Sequence, residues 1–246
     1  MCNGVKRVFL RSAVLVAAFA SMSAASVIEP WRNDISPAAT PRSEHSFGAS
    51  VLLADGYIET PFKIFYGISD NAELATRWGA IFADGQAGIS DLKFAVKYNL
   101  TKIAGDVPAI FIEGGVSLPT ADHTRGLGAG GVGLSAGWNI IKEMKPLRVF
   151  AALAGEFNDN DVLAGARPPR VFSFKAGARY DYKKDIVLTG ELKGFNNYRR
   201  NPDAFKQELY LSPGVHYSGS FPFSAAVLLG MSGDSRRFAI YLEKNF

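Results

Sequence analysis

ISDLKFAVKYNL, residues 89–100, decides the fold class because its apolar and polar side chains alternate with a period of two. One face of an extended chain carries only apolar or aromatic side chains here: Leu92, Phe94, Val96 and Tyr98. The other face carries charged and small side chains: Asp91, Lys93, Ala95 and Lys97. A β-strand separates two such sets, whereas a helix mixes them around its circumference. The stretch therefore predicts a strand with one apolar and one polar surface.

The same alternation returns along most of the chain after residue 45, and no stretch keeps a helical period for more than two turns. The predicted strands are 46–53, 58–68, 72–82, 89–100, 107–118, 130–141, 146–157, 170–182, 186–195, 206–218, 221–231 and 237–246. Most of these about twelve strands have the roughly 9–12 residues that a tilted strand needs to cross a bilayer. The absence of any apolar run of about 18 residues speaks against a helical membrane protein.

The connections between the predicted strands alternate in length. Those around 69–71, 142–145, 183–185 and 219–220 are short, and those around 83–88, 120–128, 158–169 and 196–205 are longer and rich in turn-forming residues. Two connections, at 55–56 and 102–106, fit this alternation poorly. The pattern predicts an all-β fold, a transmembrane antiparallel up-and-down β-barrel with short periplasmic turns, longer extracellular loops and both termini in the periplasm.

A soluble β-sandwich or lipocalin-like barrel is the alternative fold, since both also alternate. Two observations weigh against it. The polar faces are rich in glycine and alanine, too small to fill a soluble barrel of this size. Aromatic residues also gather at strand ends, as interfacial girdles require: Phe47, Tyr66, Phe82, Tyr98, Phe157, Tyr182, Phe195, Phe221 and Phe246.

The chain divides into three parts. Residues 1–25 have a basic start, a short apolar stretch at 13–20 and small residues before Ser26, which predicts a cleaved signal peptide. An uncleaved amphipathic anchor is the alternative, because Arg11 lies close to the apolar stretch. Residues 26–45 lack periodicity and are predicted to be a periplasmic tail, or a small plug anchored by Trp31. Residues 46–246 form the barrel. The predicted location is the outer membrane, reached through the periplasm.

Charge and cysteine content exclude several functions. Removal of residues 1–25 leaves 24 basic against 23 acidic residues, so the basic character belongs to the signal and predicts no nucleic-acid partner. Cys2 is the only cysteine, and it lies in the same segment. The mature chain can therefore have no thiol nucleophile, disulfide or cysteine zinc site.

No catalytic, cofactor or metal site is predicted. GLGAGG at 126–131 satisfies the dinucleotide fingerprint as a bare pattern, but a strand follows it where a helix is needed. The three histidines are far apart in the sequence. His216 and Ser212 share a face without an identifiable acid to orient the histidine.

The last strand, RRFAIYLEKNF at 236–246, carries an apolar face that ends on an aromatic residue: Phe238, Ile240, Leu242 and Phe246. Such a strand is similar to the signal that outer-membrane proteins present to the barrel assembly machinery. Lys244 departs from this pattern, although its stem could snorkel at the interface. The assembly machinery and outer-membrane lipid are the predicted partners, along with a small-molecule solute.

Four segments carry a resemblance to a known family: IETPFKIFYGISDNAEL (58–74), GISDLKFAVKYNL (88–100), PAIFIEGGVSLPT (108–120) and GLGAGGVGLSAGW (126–138). They resemble the phenol-degradation meta-pathway outer-membrane proteins, a transporter-like group distantly similar to the fatty-acid channel family. The match covers mainly residues 58–138. It implies a mid-sized barrel that passes small molecules, hydrophobic or aromatic ones among them.

The polar faces supply the candidate lumen-lining residues: Lys63, Arg77, Lys93, Lys97, Glu113, Arg148, Glu156, Lys175, Arg179, Glu191, Lys193, Glu208, Arg237 and Glu243, with Glu59, Glu73 and Asp91 beside them. These charges either pair into a network that fills a narrow interior or line a water-filled conduit. Four bases, Lys93, Lys97, Lys175 and Arg179, lie on strand faces without an acid at the intervening inward positions. The predicted function is a channel for passive uptake of small molecules. The alternatives are a closed structural or adhesive barrel acting through its extracellular loops, and an outer-membrane enzyme.

Overall fold

The computed structural model describes residues 46–54, 56–83, 85–101, 107–125, 127–128, 130–158, 170–198, 205–233, 235 and 237–245. The predicted signal peptide and the predicted tail or plug at 26–45 lie outside these residues. No helix in the part of the chain so described is long and apolar enough to cross a bilayer.

The described chain is built almost entirely of strands. They are β1 (Ser46–Ala54), β2 (Tyr57–Ser69), β3 (Ala72–Ala83), β4 (Gln86–Ile89), β5 (Leu92–Thr101), β6 (Ala109–Leu118), β7 (Gly133–Met144), β8 (Leu147–Asn158), β9 (Arg170–Lys183), β10 (Ile186–Tyr198), β11 (Phe205–Tyr217), β12 (Phe223–Gly230) and β13 (Phe238–Asn245). A single 3-10 turn, His123–Arg125, interrupts the described part of the β6–β7 connection.

Except for β4 and β5, strands that are neighbours in sequence pair antiparallel, and β1 also pairs with β13, so the sheet closes on itself. β4 and β5 both pair with β3 and share one position in the wall. The thirteen segments therefore make a barrel of twelve strands, which confirms the predicted fold class. Antiparallel closure requires an even number of strands, so both ends of the described barrel, Ser46 and Asn245, lie at one rim.

A β-bulge separates β4 from β5. Trp78 and Gly79 of β3 face three residues, Ser90 to Leu92, because Ala80 pairs with Ile89 and Arg77 pairs with Lys93. The Ser90 amide donates a 2.8 Å hydrogen bond to the Gly79 carbonyl oxygen and holds the bulge in place. An extra residue in one strand redirects the side chains beside it. Asp91 is consequently buried on the inner face, near one mouth of the barrel.

Side chains alternate between the outer and inner faces of the wall as the sequence predicts. Phe94, Val96 and Tyr98 are 36%, 44% and 45% exposed, whereas the alternate residues Ala95 and Asn99 are buried. In a single closed wall the buried face is the interior, so the apolar side chains point outward. A soluble barrel has the opposite arrangement, because its outer face meets water.

The connections differ between the two ends. At one rim of the barrel, the connections include the two-residue turns Asp70–Asn71, Lys145–Pro146 and Lys184–Asp185. Both termini of the barrel also lie at this rim, which we call the turn end. The other rim, the loop end, carries the longer connections 119–132, 159–169, 199–204 and 231–237. The predicted loop at 83–88 is wrong, because residues 86–89 form β4. Gly85 makes the tight turn possible with a φ of 81°, a conformation that glycine adopts without strain.

Candidate functional site: the barrel interior

One side of the interior is packed with buried ion pairs. Lys63 of β2 reaches across β1 to Glu243 of β13, where its Nζ lies 2.9 Å from a carboxylate oxygen. It also donates a 2.7 Å hydrogen bond to the Tyr241 hydroxyl. Both charged side chains are fully buried. Small inward residues of β1, such as Ser50, leave the room for this crossing.

A second buried pair lies nearer the loop end. Arg77 of β3 and Glu59 of β2 are 2.5 Å apart, and the Tyr57 hydroxyl donates a 2.9 Å hydrogen bond to the same carboxylate. A buried charge is tolerated only when it is paired and hydrogen-bonded. This sector of the interior therefore holds buried, paired charges.

The sector at β9 to β11 is also packed. Lys193 and Glu191 of β10 are 3.3 Å apart and fully buried. Lys175 of β9 lies directly opposite Lys193 in the sheet and is 2% exposed. Tyr210 donates a 2.8 Å hydrogen bond to Glu208. These side chains are all buried.

Apolar clusters fill further levels of the interior. One cluster joins Phe65 of β2, Ala75 of β3, Ala95 of β5 and Ala154 of β8. Because two strands separate β5 from β8 in the wall, this cluster crosses the interior. Two others line the wall on either side: Leu52, Tyr210, Ala226, Leu228, Ala239 and Tyr241, and Ala109, Phe111, Ile141 and Phe150.

Several charged side chains on β5 to β9 keep partial exposure. Lys93 of β5 and Glu156 of β8 are 2.9 Å apart, and their side chains keep 23% and 19% exposure. This pair spans the inner surfaces of β6 and β7, where the inward residues are small. A Cβ on Gly115 would lie 2.7 Å from the Ser135 hydroxyl, so glycine is required for the two strands' inner faces to lie this close.

Three more pairs in this sector remain partly accessible. Lys97 lies 4.0 Å from Glu73, Arg148 contacts Glu143, and Arg179 lies 2.9 Å from Asp181. Their positions run from the middle of the barrel toward the turn end. Although no acid stands at the intervening inward positions, Lys93, Lys97 and Arg179 each lie near an acid. The partners of Lys93 and Lys97 lie on other strands, and the partner of Arg179 lies at the next inward position of the same strand. Strand parity alone does not predict these pairings.

The sequence-predicted residues divide into three groups by burial. Eight are buried: Lys63, Arg77, Glu113, Lys175, Glu191, Lys193, Glu208 and Glu243. Five are partly exposed on the inner face: Lys93, Lys97, Arg148, Glu156 and Arg179. Arg237 differs from both groups, because it lies one residue before β13 and is exposed. The structure does not bring Arg237 together with the interior charges.

A loop that the sequence did not single out folds into the loop-end mouth. Ala121 and Leu127 of the β6–β7 connection are buried against Ile81, an inward residue of β3. The Ala121 amide donates a 3.0 Å hydrogen bond to the Asp91 carboxylate, whose position the bulge sets. Outside this contact, Arg125 Nε donates a 3.1 Å hydrogen bond to Gln86. We call residues 119–132 the mouth loop.

The 3-10 turn of the mouth loop has its own local cap. Asp122 accepts hydrogen bonds from the Thr124 hydroxyl at 2.7 Å and the Thr124 amide at 3.0 Å. The hydroxyl bond is the main reason that the pKa of the Asp122 carboxyl lies below its usual value, with the nearby backbone amides and Arg125 acting in the same direction. The turn is thus fixed by a group that stays ionised.

Of the predicted assembly signal, Phe238 and Leu242 lie exposed on the outer face and Ile240 is half-buried there. Phe246 lies outside the described residues. The Lys244 ammonium lies 3.6 Å from the centre of the Phe221 ring, a cation-π contact at the turn end.

His216, at the turn end, contacts a serine on the neighbouring strand. His216 Nδ1 lies 3.0 Å from the Ser224 hydroxyl across the β11–β12 pair. Ser212 is fully buried on the same strand as His216. The described residues include no group of three or more histidine, cysteine or acidic side chains placed to hold a metal ion.

A closed barrel of twelve antiparallel strands, apolar outside and charged inside, is the architecture of outer-membrane β-barrels. The fold is similar to that of an outer membrane channel from Pseudomonas putida F1, with a TM-score of 0.59 and 11% identity over 82% of this chain and 94% of that one. It is also similar to the NanC porin, with a TM-score of 0.56 and 10% identity over 82% and 98%. No protein-family model and no curated protein matches the chain.

Proposed function

We propose that this protein is an outer-membrane channel for the passive passage of small molecules. The apolar outer face supports a membrane location, because 32 large apolar side chains among the described residues, such as Phe94 and Leu188, are exposed. The inward charges support a hydrated interior, since a barrel that held no water would gain more from apolar filling. The likeness in fold to two outer-membrane channels is in line with this proposal.

The observation that carries the proposal is the row of partly exposed ion pairs on β5, β7, β8 and β9. The pair Lys93 and Glu156 lies toward the loop end, and the pairs formed by Arg148 and Arg179 lie at the turn end. Lys97 lies between these two levels. Exposure inside a closed wall means that water fits beside these side chains. The conduit is therefore narrow, since buried clusters fill parts of this sector as well as the opposite side.

The proposed solute class follows from the lining and from the family resemblance. The resemblance implies small hydrophobic or aromatic molecules. The row of partly exposed residues carries four bases, Lys93, Lys97, Arg148 and Arg179, and the last two are direct partners on the adjacent strands β8 and β9. A small aromatic carboxylate would combine a flat apolar ring with one charge that these bases attract. Small uncharged solutes should pass more slowly.

The route to the membrane is part of the same proposal. Residues 1–25 would direct export and be removed, and the periplasmic chain would reach the barrel assembly machinery through its last strand. Phe238 and Leu242, both outward on β13, would present the apolar face of that signal. Outer-membrane lipid then covers the exposed apolar band.

A closed structural or adhesive barrel is the second candidate, and the packed sectors favour it. Lys63, Glu243, Lys193 and Glu191 are fully buried, so much of the interior is already filled by paired side chains. In that case the exposed connections at the loop end would carry the function.

Liposome swelling distinguishes the two candidates. Purified protein would be inserted into liposomes, and the rate of swelling would be followed with benzoate, a small sugar and a disaccharide. A channel should admit benzoate fastest and the disaccharide slowest. Swelling no faster than in protein-free liposomes, with correct insertion shown by protease protection, would favour the closed barrel.

A further inference from the structure

Four lysines cluster at the turn end of the neighbouring strands β7 to β10. We call them the basic rim: Lys142, Lys145, Lys183 and Lys184. Lys145 and Lys184 lie in the two-residue turns that follow β7 and β9, and Lys183 ends β9. These three are exposed, and Lys142 is half-buried on the outer face. The basic rim therefore forms a positive surface in one sector of the barrel.

Strand pairing brings the two lysine-bearing turns together. β8 pairs with β9, and the Asp181 amide donates a 3.0 Å hydrogen bond to the Pro146 carbonyl oxygen in the β7–β8 turn. Tyr180 and Tyr182 lie between the two turns and point outward, 44% and 54% exposed. The Lys183 ammonium lies 5.3 Å from the centre of the Tyr182 ring. Two aromatic rings are thus flanked by lysines on both sides.

The nearest acid is Asp185, half-buried in the same two-residue turn as Lys184, whereas the acids on β7 and β9 face away from this surface. Glu143 contacts Arg148 and Asp181 contacts Arg179, and all four side chains lie on the inner parity of their strands. Within the described residues, no acid forms an ion pair with Lys145, Lys183 or Lys184. The β2–β3 turn at the same end, Asp70–Asn71, carries no base at all. The turn end also carries Lys244 on β13, so the positive charge is concentrated in the sector of β7 to β10 without being confined to it.

We propose that the basic rim and its two tyrosines bind the headgroup of an anionic phospholipid in the leaflet at the turn end. This inference rests on the proposed membrane location. Tyrosines gather where a bilayer meets water, and lysine stems extend along apolar surface while the ammonium reaches the phosphate level. Leu147 and Leu188 continue the outer face toward the membrane centre and would contact the acyl chains. Lysines near an anionic leaflet add to the attraction one by one.

The test compares two double variants with the same change in charge. Lys145→Gln with Lys184→Gln removes half of the basic rim, and Arg237→Gln with Lys206→Gln removes two bases at the loop end. Each protein would be inserted into bilayers of phosphatidylethanolamine with and without phosphatidylglycerol. Native mass spectrometry after detergent extraction would count the lipids retained, and channel conductance would be recorded in parallel.

The wild type should retain phosphatidylglycerol in preference to phosphatidylethanolamine. The rim variant should lose this preference by about fivefold per lysine. The control variant should keep the preference, and conductance should be unchanged in both. Equal retention of the two lipids by the wild type, or equal losses in the two variants, would overturn the inference while leaving the channel intact. Failure of the wild type to enter bilayers would overturn the proposed function as well.

Discussion

Phe94 shows how one outward side chain is fixed by its environment. It lies on the outer face of β5, with Val96 and Tyr98 beside it on the same face. Phe94→Arg should destabilise the folded barrel by about 2–4 kcal/mol, because an arginine near the membrane centre must leave water. Phe94→Leu is the matched control and should cost much less. Denaturant unfolding in lipid vesicles measures both, and equal effects would mean that this face does not meet lipid.

On the inner face, removing the charge of Lys63 should destabilise the barrel, whereas on the outer face adding a charge does so. Lys63→Met leaves the buried Glu243 carboxylate without its ammonium partner, which should cost about 3–5 kcal/mol. Adding Glu243→Gln should restore most of the loss, because the remaining buried group is then neutral. Unfolding free energies of the two single variants and the double variant give the coupling. Purely additive losses would contradict a direct interaction between the two charges.

For a single residue, the sequence predicts well which face of the wall the side chain occupies. It predicts less well which side chain it contacts. Parity along β5 assigned Lys93 and Lys97 to the inner face because alternation depends only on the local chain. The partner of Lys93, Glu156, is 63 residues away and lies across two other strands. That contact depends on how the barrel closes and on small residues such as Gly115, neither of which alternation encodes.

Among the elements, the mouth loop has the greatest consequence for a channel. Its contacts with Ile81 and Asp91 hold it inside the loop-end mouth. Leu127→Ser with Asp91→Asn should release it and raise single-channel conductance. Leu134→Ser with Asp185→Asn, changes of the same kind outside the mouth, is the control. Unchanged conductance in the first variant would mean that the mouth loop does not limit flow.

The 3-10 turn within the mouth loop should lose its capping hydrogen bonds only at acidic pH. The pKa of Asp122 is lowered, so its capping bonds are fully present above the ordinary pKa of 3.8 and are lost as the pH falls through the lowered value. Between neutral pH and about pH 5 the turn should therefore be unchanged. Amide exchange of Thr124 and Arg125 followed against pH checks this. Loss of protection already at pH 6 would assign the change to another group.

The sequence predicted the long strands well and the mouth poorly, for physical reasons. Strand periodicity is strong where one face meets lipid. The segment QAGI of β4 has little apolar contrast and small side chains, so it was expected to be a loop. The bulge at Ser90 and Asp91 breaks alternation for one residue, and the inward fold of the mouth loop depends on the position that this bulge gives Asp91.

The whole molecule is closed by the pairing of β1 with β13, which leaves no free strand edge along the described wall. Without a frayed edge, unfolding has no easy starting point. The protein should therefore migrate differently on a denaturing gel before and after boiling. A variant with Leu52→Pro, which removes a backbone donor within β1, should lose this difference. Identical migration of the unheated and boiled wild type would contradict a closed barrel.

The central claim is that the partly exposed ion pairs line a conduit. Reversal potentials in a salt gradient across a planar bilayer test it most directly. Lys93→Gln should shift selectivity toward cations and Glu156→Gln toward anions, because each removes one sign of charge at the same level of the interior. Wild-type protein that inserts and passes no current, or two variants that shift in the same direction, would contradict the account.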